Sequence, residues 1–227
     1  MHLEIESLTT MSLLSIENVA QLNSDHWGIT QTQIVKTEDD QLRNGNYCAF
    51  YVAEPFNSGP LAAHATKDFV YYNTLRMWKG EDQTFPFSDS HATTYNVRDG
   101  SDWETTLKPR LRERLRNSKN VVLFLSKNTT NSRAIREEVE YGILDQELPF
   151  IVVYPEYKTR GELLSGGILK QSVRDLWEKL PVFRDRMSLV PTLHVPLHKQ
   201  TVSWALRNTD FMLESKTSPS IQAYPEG

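Results

Sequence analysis

Two apolar runs without any alternation constrain the fold of this chain more than any other feature. Residues 121–125 read Val-Val-Leu-Phe-Leu, and residues 150–154 read Phe-Ile-Val-Val-Tyr. A strand with one face in water alternates apolar and polar residues, whereas a strand covered on both faces does not. The two runs therefore predict strands of a parallel sheet that carries helices on both sides.

The segment between the two runs predicts a helix with one acidic residue beside its buried face. Asn131 or Ser132 can cap this helix, and apolar or small residues recur every three or four positions at 135, 139, 142 and 143. At about 100° per residue, Glu138 lies about 60° from Ile135, at the rim of the apolar stripe. Glu137 and Glu140 are expected on the far side of the helix.

Glu138 has two interpretations at this point. It can be a boundary acid that pairs with an arginine, which is the ordinary role of a charged residue beside a buried stripe. Alternatively, it can face a ligand cleft, because the small side chains of Ala134 and Gly142 leave room beside it. A cleft would indicate an enzyme, and bulk water would indicate an adaptor.

The sequence predicts three further strands in the sheet and four helices around it. The strands are expected at residues 47–52, 84–87 and 192–195. The helices are expected through Phe69 and Trp78, from a cap at Asp102 with a bend or a restart at Pro109, around residues 173–180, and at residues 200–208. Five short strands alternating with helices predict an α/β, doubly wound, mainly parallel five-stranded sheet of flavodoxin-like order, with any ligand at the carboxyl ends of the strands.

Composition narrows the class of protein. The 227 residues carry a formal net charge of −4, so neither nucleic acid nor an anionic membrane is the expected partner. The single cysteine, Cys48, fits a reducing compartment and is expected to be a small core residue. No apolar run approaches the roughly 20 residues that span a bilayer, and the acidic start does not resemble a signal peptide. We expect a cytoplasmic protein in which residues 1–45 form an N-terminal extension to one domain at residues 46–227.

The familiar catalytic and ligand-binding motifs are missing from the sequence. It contains no Gly-x-Gly-x-x-Gly, no phosphate-loop Gly-Lys-Ser and no Gly-x-Ser-x-Gly. The six histidines do not have the spacing of a metal site, so no metal is expected. The basic residues at 108, 110, 112, 114 and 116 divide over more than one helix face, which predicts a solvated surface with local ion pairs.

Several segments together resemble the TIR-like superfamily, and within it the TIR-like subunit of Thoeris antiphage systems. The resemblance covers residues 47–155 well and the last third of the chain by the order of its elements. The segments are Trp-Glu at 103–104, Leu-Lys-Pro-Arg at 107–110, Asn-Ser-Lys-Asn at 117–120, Val-Val-Leu-Phe-Leu-Ser at 121–126 and Ser-Arg-Ala-Ile-Arg-Glu-Glu-Val at 132–139. Ala134 and Ile135 depart from the commoner pattern, in which Trp and Cys often occupy these positions.

This resemblance implies an NAD-cleaving enzyme, with NAD as substrate and no separate cofactor. TIR enzymes cleave the bond between nicotinamide and ribose with a glutamate in the helix after the third strand, and Glu138 occupies that position here. Expected substrate contacts come from Tyr51, Ser88, Asp89, Ser90, Trp103 and Ala134. Thoeris relatives make an ADP-ribose-derived signal that activates a separate effector, and TIR catalysis often requires assembly into a homo-oligomer. Capture by water, by an adenine nitrogen or by an added amine remains open.

Two other functions remain compatible with the sequence. The first is a non-catalytic TIR-like scaffold whose exposed helices bind another protein, which predicts no NAD turnover. The second is an enzyme like the nucleoside deoxyribosyltransferases, which share a doubly wound sheet and a glutamate and exchange bases on deoxynucleosides. Release of nicotinamide from NAD would distinguish the NAD-cleaving enzyme from both of these alternatives.

Overall fold

A parallel five-stranded sheet forms the centre of the computed structural model, which describes residues 43–51, 67–91 and 102–224. Its strands follow the spatial order β1-β2-β3-β6-β7, and every neighbouring pair is parallel. The five strands are β1 Gly45–Ala49, β2 Ser118–Phe124, β3 Phe150–Tyr154, β6 Pro191–Pro196 and β7 Ser220–Ala223. The predicted α/β class and the parallel sheet are confirmed.

Helices surround this sheet, and a small hairpin interrupts the alternation of strand and helix. The hairpin joins β4 Leu164–Ser165 to the antiparallel β5 Ile168–Leu169. The helices are α1 Lys67–Glu81, α2 Lys108–Arg116, α3 Arg133–Leu144, α4 Arg160–Leu163, α5 Gln171–Arg174, α6 Pro181–Arg184 and α7 Lys199–Arg207. Short 3₁₀ turns follow at Asp175–Lys179, Met187–Leu189 and Thr209–Phe211.

Two apolar cores, one on each face of the sheet, explain why β2 and β3 show no alternation. Alternate side chains of β1 point to opposite faces, so Tyr47 and Ala49 lie with α2 and α3, while Cys48 lies with α1 and α7. Every residue of β3 is buried. Burial on both faces is what a doubly wound sheet requires. Cys48 is a buried core residue, as the sequence predicts.

The predicted second strand at residues 84–87 is wrong. Only Asp89 pairs with the sheet, through a single parallel bridge to Asn46 on the outer side of β1. Pro86 lacks the N–H group that a ladder needs, and the backbone turns at residues 83–85. The segment still occupies the edge where the second strand of a flavodoxin-like order would lie. The fifth strand of the sheet is instead β7, which the sequence pattern did not indicate.

The helix predicted from Asp102 forms in two parts. Asp102 caps a π-helical turn at Trp103–Leu107, and its Oδ1 accepts a hydrogen bond from the Thr105 backbone N–H at 2.8 Å. Pro109 then lies in the first turn of α2, where its missing N–H costs no helical hydrogen bond. The predicted restart at Pro109 and the cap at Asp102 are both confirmed.

Residues 1–42 of the predicted N-terminal extension lie outside the described residues, and β1 begins at Gly45. Among the helices of the described ranges, none combines the length and the apolar character needed to cross a bilayer.

Candidate functional site

Glu138 lies on α3 where this helix contacts β1. The buried face of α3 includes Ile135, Val139 and Gly142, as the periodicity predicts. Glu138 extends from the rim of this face toward the sheet, and its Oε1 accepts a hydrogen bond of 2.8 Å from the Tyr47 hydroxyl. Its Oε2 atom is buried and has no hydrogen-bond partner among the described residues. One carboxylate oxygen is therefore held by the protein, and the other is buried without a hydrogen bond from the described residues.

The acid that pairs with an arginine is Glu137, the neighbour of Glu138. Its Oε1 lies 2.6 Å from Arg112, and its Oε2 lies 3.7 Å from Lys108. The side chain is only 17% exposed because it fills the contact between α2 and α3. Glu137 points to the far side of α3, as expected, but α2 covers that side and removes most of the side chain from solvent. Glu140, whose side chain is 48% exposed and paired with Arg186, does point outward.

Burial controls the ionisation of Glu138. Removal of the carboxyl from water disfavours its charged form and raises its pKa from 4.5 to about 8. The Tyr47 hydrogen bond and the positive charge of Arg114 both lower this pKa, but they do not offset burial. A carboxyl with a pKa near neutrality in a buried position is a common property of catalytic acids and bases.

His91 packs against the partner of Glu138. Its ring lies 4.7 Å from the Tyr47 ring, and its Nε2 lies 3.0 Å from the Cys48 carbonyl oxygen. Its Nδ1 lies 3.5 Å from an Arg114 nitrogen, which can only donate. The Cys48 backbone N–H also lies within hydrogen-bond distance of Nε2, at 3.3 Å. Burial and the charge of Arg114 lower the pKa of His91 to about 4, so the imidazole is neutral at physiological pH.

The predicted contacts Ser88, Asp89 and Ser90 line the outer edge of β1. Asp89 accepts hydrogen bonds from the Tyr72 hydroxyl at 2.7 Å and from the His91 backbone N–H at 2.9 Å. The Ser90 hydroxyl lies 2.7 Å from that of Ser118, which opens β2. Ser88 is exposed. Asp89 is therefore linked to Glu138 only indirectly, because it binds His91, which packs on Tyr47. Ser90 instead contacts Ser118 at the amino end of the sheet.

The remaining predicted contacts lie around the carboxyl ends of the strands. Tyr51 follows β1, and Ala134 is buried in the first turn of α3. Trp103 is half-buried, and the Arg133 guanidinium covers its ring at 4.7 Å. Among the described residues, the hydrogen bonds that the structure gives Glu138 involve none of these side chains. Their contact with a substrate stays a prediction.

Asp68 ties together the elements that support α3. It is fully buried near the start of α1, where it accepts hydrogen bonds from the Ser126 hydroxyl at 2.7 Å and the Thr129 hydroxyl at 3.2 Å. Both residues belong to the segment that leads from β2 into α3. The backbone of Tyr51 also donates to Asp68. This buried carboxylate fixes the loop from which the helix of Glu138 begins.

Sequence patterns did not predict the roles of Tyr47, His91 and Arg114. Tyr47 is 91 residues from Glu138 in sequence, and a strand tyrosine looks like any core residue. Alternation along β1 does place Tyr47 on the face opposite Cys48, which was the one usable signal. Arg114 is hidden in a run of basic residues. Within the described residues, no group of three or more His, Cys, Asp or Glu side chains could hold a metal ion.

Comparison with known protein families agrees with this architecture. Residues 47–160 match the model of the family described as Thoeris protein ThsB, TIR-like domain. The match covers just over half of the chain and includes most of β1 and all of α3 and β3, together with Tyr47 and Glu138. The chain therefore belongs to the family of the TIR-like domain of the Thoeris protein ThsB.

Proposed function

We propose that this protein is an NAD-cleaving TIR-like enzyme of antiphage defence that produces an ADP-ribose-derived signalling nucleotide. The observation that carries this proposal is the state of Glu138, which is held at Oε1 by Tyr47 while Oε2 is buried without a partner among the described residues. Membership of the Thoeris ThsB family supports the same reaction class. The proposed enzyme acts in the cytoplasm, where NAD is present.

The chemistry of NAD requires little more than a correctly placed carboxylate. The bond between ribose C1′ and the nicotinamide nitrogen breaks, and its electron pair neutralises the pyridinium ring, so the leaving group needs no proton. A positive charge develops on the ribose, and a carboxylate beside it stabilises the transition state more than the ground state. In the proposed complex, Oε2 of Glu138 accepts a hydrogen bond from a ribose hydroxyl. A nucleophile then captures the cation.

The raised pKa of Glu138 fits this role. In the free protein the pKa of about 8 leaves much of the carboxyl protonated at neutral pH. The cationic nicotinamide ribosyl group of NAD favours the ionised form, because an opposite charge at close range lowers the pKa of an acid. In the proposed enzyme, the Glu138 carboxyl therefore becomes fully ionised when the substrate binds.

Further contacts of the substrate are proposed at the carboxyl ends of the strands. The Trp103 ring offers an aromatic face for a base, although Arg133 covers it in the free protein. Tyr51 and Ala134 complete the proposed pocket at this end, whereas Ser88, Asp89 and Ser90 lie beside Asn46 and Ser118, near the amino ends of β1 and β2. The proposed product activates a separate effector, and the active protein is proposed to be a homo-oligomer.

Release of nicotinamide from NAD tests the proposal. The purified protein is incubated with NAD alone and in lysate from infected cells, and nicotinamide is quantified by chromatography. Glu138→Gln should abolish release, because the amide cannot supply negative charge. Glu137→Gln is the matched control, since this neighbouring acid pairs with Arg112 outside the proposed pocket. Absence of release by the wild type in both conditions, or full release by Glu138→Gln, would refute the proposal.

An adaptor function is the second candidate, and the outer face of α1 favours it. Val70 and Met77 are 56% and 54% exposed and lie seven residues apart, so they share one side of the helix. Exposed apolar residues on a helix are typical of a protein contact when they form a continuous patch. An adaptor predicts a stable partner that Val70→Lys together with Met77→Lys releases in a pull-down, with no NAD turnover by the wild type.

A further inference from the structure

We infer that Tyr47 is the positioning residue of Glu138, and that His91 holds Tyr47 so that only Oε2 of the glutamate is available to the substrate. This inference rests on the proposed function and adds the residues that orient its carboxylate. A glutamate side chain has three rotatable bonds, so its position in a site depends on what its oxygens contact.

Tyr47 fixes Glu138 by geometry. The Tyr47 side chain is 1% exposed, and its hydroxyl donates its only proton to Oε1 of Glu138 at 2.8 Å. A phenol has two side-chain torsions, and here its ring belongs to the core between β1, α2 and α3. The donor is therefore rigid, and it restricts the carboxylate to orientations in which Oε1 faces the sheet. The buried Oε2 then points away from this bond.

His91 prevents Tyr47 from moving toward the edge of the sheet. Its ring lies 4.7 Å from the Tyr47 ring at an interplanar angle of 46°. Two contacts hold His91 there: its backbone N–H donates to Asp89 Oδ1 at 2.9 Å, and its ring Nε2 lies 3.0 Å from the Cys48 carbonyl oxygen. The imidazole stays neutral, because a second positive charge beside Arg114 in a buried site is unfavourable. His91 thus packs against the Tyr47 ring and is itself held by its contact with the Cys48 carbonyl.

The charges facing Glu138 determine what the Tyr47 hydrogen bond does. Arg114 on α2 is the cation that lowers the pKa of Glu138, and Tyr47 on β1 is the neutral donor that lowers it further. Facing His91 and Tyr47 are the Asp89 carboxylate at the edge of the sheet and the Cys48 thiol on β1. Loss of the Tyr47 hydroxyl removes one of the two groups that favour the ionised carboxylate. The pKa of Glu138 must then rise.

The pH profile of NAD cleavage by Tyr47→Phe tests the inference. This variant keeps the ring and loses only the donor. We expect kcat/KM of the wild type to rise with pH, with the midpoint of this limb of the profile at about pH 8. In Tyr47→Phe the midpoint should lie about one pH unit higher, which lowers kcat/KM about tenfold at neutral pH. The deficit should shrink as the pH approaches 9.5. Tyr71→Phe, which removes a hydroxyl on α1 at the other face of the sheet, should leave the limb unmoved.

A merely structural tyrosine would behave differently. It would lower kcat/KM by the same factor at every pH, and an unmoved limb in Tyr47→Phe would overturn the inference. His91→Phe provides a second variant, because it keeps an aromatic ring but loses the contact with the Cys48 carbonyl. If His91 holds Tyr47 against Glu138, His91→Phe should move the rise of kcat/KM to higher pH, in the same direction as Tyr47→Phe. A rise at the wild-type pH in this variant would overturn the role assigned to His91.

A double-mutant cycle on folding decides the role of Tyr47 without any reference to activity. At pH 9, where Glu138 is ionised, Tyr47→Phe should lower the folding equilibrium constant about fivefold more in the wild-type background than in the Glu138→Gln background. At pH 5 this excess should vanish, because both acceptors are neutral. No excess at pH 9 would overturn the inference. If the wild type releases no nicotinamide, the proposed function fails, and this cycle alone decides whether Tyr47 positions Glu138.

Discussion

Ionisation of Glu138 should destabilise the folded protein, and Glu138→Gln should remove this effect. The carboxyl has a pKa of about 8 in the folded protein and 4.5 when exposed, because burial disfavours its charge. The folded state therefore binds more protons than the unfolded state throughout that interval. Under this condition the free energy of unfolding falls as pH rises. The stability associated with protonated Glu138 is complete below about pH 4.5 and is lost as pH rises toward about 8.

The magnitude follows from the size of the shift. Each pKa unit corresponds to 1.36 kcal/mol, so the full interval corresponds to about 5 kcal/mol. Entry of water into the ionised site lowers this value, and we expect a measurable difference of about 2–5 kcal/mol. Glutamine is neutral at every pH, and its oxygen can still accept the Tyr47 hydrogen bond. The variant should match the wild type near pH 5 and exceed it in stability near pH 9.

Urea unfolding followed by tryptophan fluorescence measures this difference, since the chain has five tryptophans. Wild type and Glu138→Gln are unfolded at each pH from 5 to 9, and the difference in free energy of unfolding is plotted against pH. Other shifted groups, such as the buried Asp68 and His91, are present in both proteins, so their contributions largely cancel. A difference that stays constant across this range would refute the argument that burial controls Glu138.

Three further predictions concern the supports of the site, and urea unfolding checks each of them. Asp68→Ala should lower the free energy of unfolding by about 3 kcal/mol, because it leaves buried hydroxyls such as that of Ser126 without their charged acceptor; a loss under about 1 kcal/mol would contradict this. Leu115→Ala should cost about 2–5 kcal/mol, since Leu115 is fully buried between α2 and the sheet, and unchanged stability would show that the core refills. Asp102→Ala should cost about 1 kcal/mol through loss of the cap on Thr105, whereas Asp102→Asn should cost less.

The central strands were predictable because burial leaves a direct mark on sequence. Residues 121–125 and 150–154 are apolar throughout, and the structure buries β2 and β3 between two cores. The phase of α3 was equally readable, because a helix of 12 residues repeats its buried positions several times. Elements with a strong and repeated pattern therefore agreed with the structure.

Elements at the periphery of the sheet were not predictable from periodicity. The edge strand β7 reads Ser-Ile-Gln-Ala, and its residues are half-buried or exposed, so it lacks an apolar signal. The β4–β5 hairpin has strands of two residues each, joined by Gly166 and Gly167 at positive φ. Residues 84–87 were wrongly predicted as a strand because they do carry an apolar signal. Phe85 and Phe87 are buried with a strand-like alternation, but they fill the core from a turn beside α1.

The site illustrates what a pattern can and cannot give. Helix geometry placed Glu138 at the rim of a buried stripe and Glu137 on the far side, but it could not show which element covers each side of α3. Arg112 of α2 meets Glu137, and Tyr47 of β1 meets Glu138. A charged partner leaves Glu137 in a structural ion pair, whereas a single neutral donor leaves Glu138 with an oxygen to spare.

The contrast between these two neighbours also explains why the fold can afford a buried acid at all. An unpaired buried carboxylate is costly, and an ordinary fold avoids that cost by ion pairing, as Glu137 does. Glu138 avoids it by taking up a proton, which its pKa of about 8 allows at neutral pH. Arg114 influences Glu138 through space while it also lies beside His91, so it lowers that pKa without neutralising the acid. Under the proposed function, the missing counter-charge is the cationic substrate itself, so the stability lost on ionisation is recovered when the ligand binds.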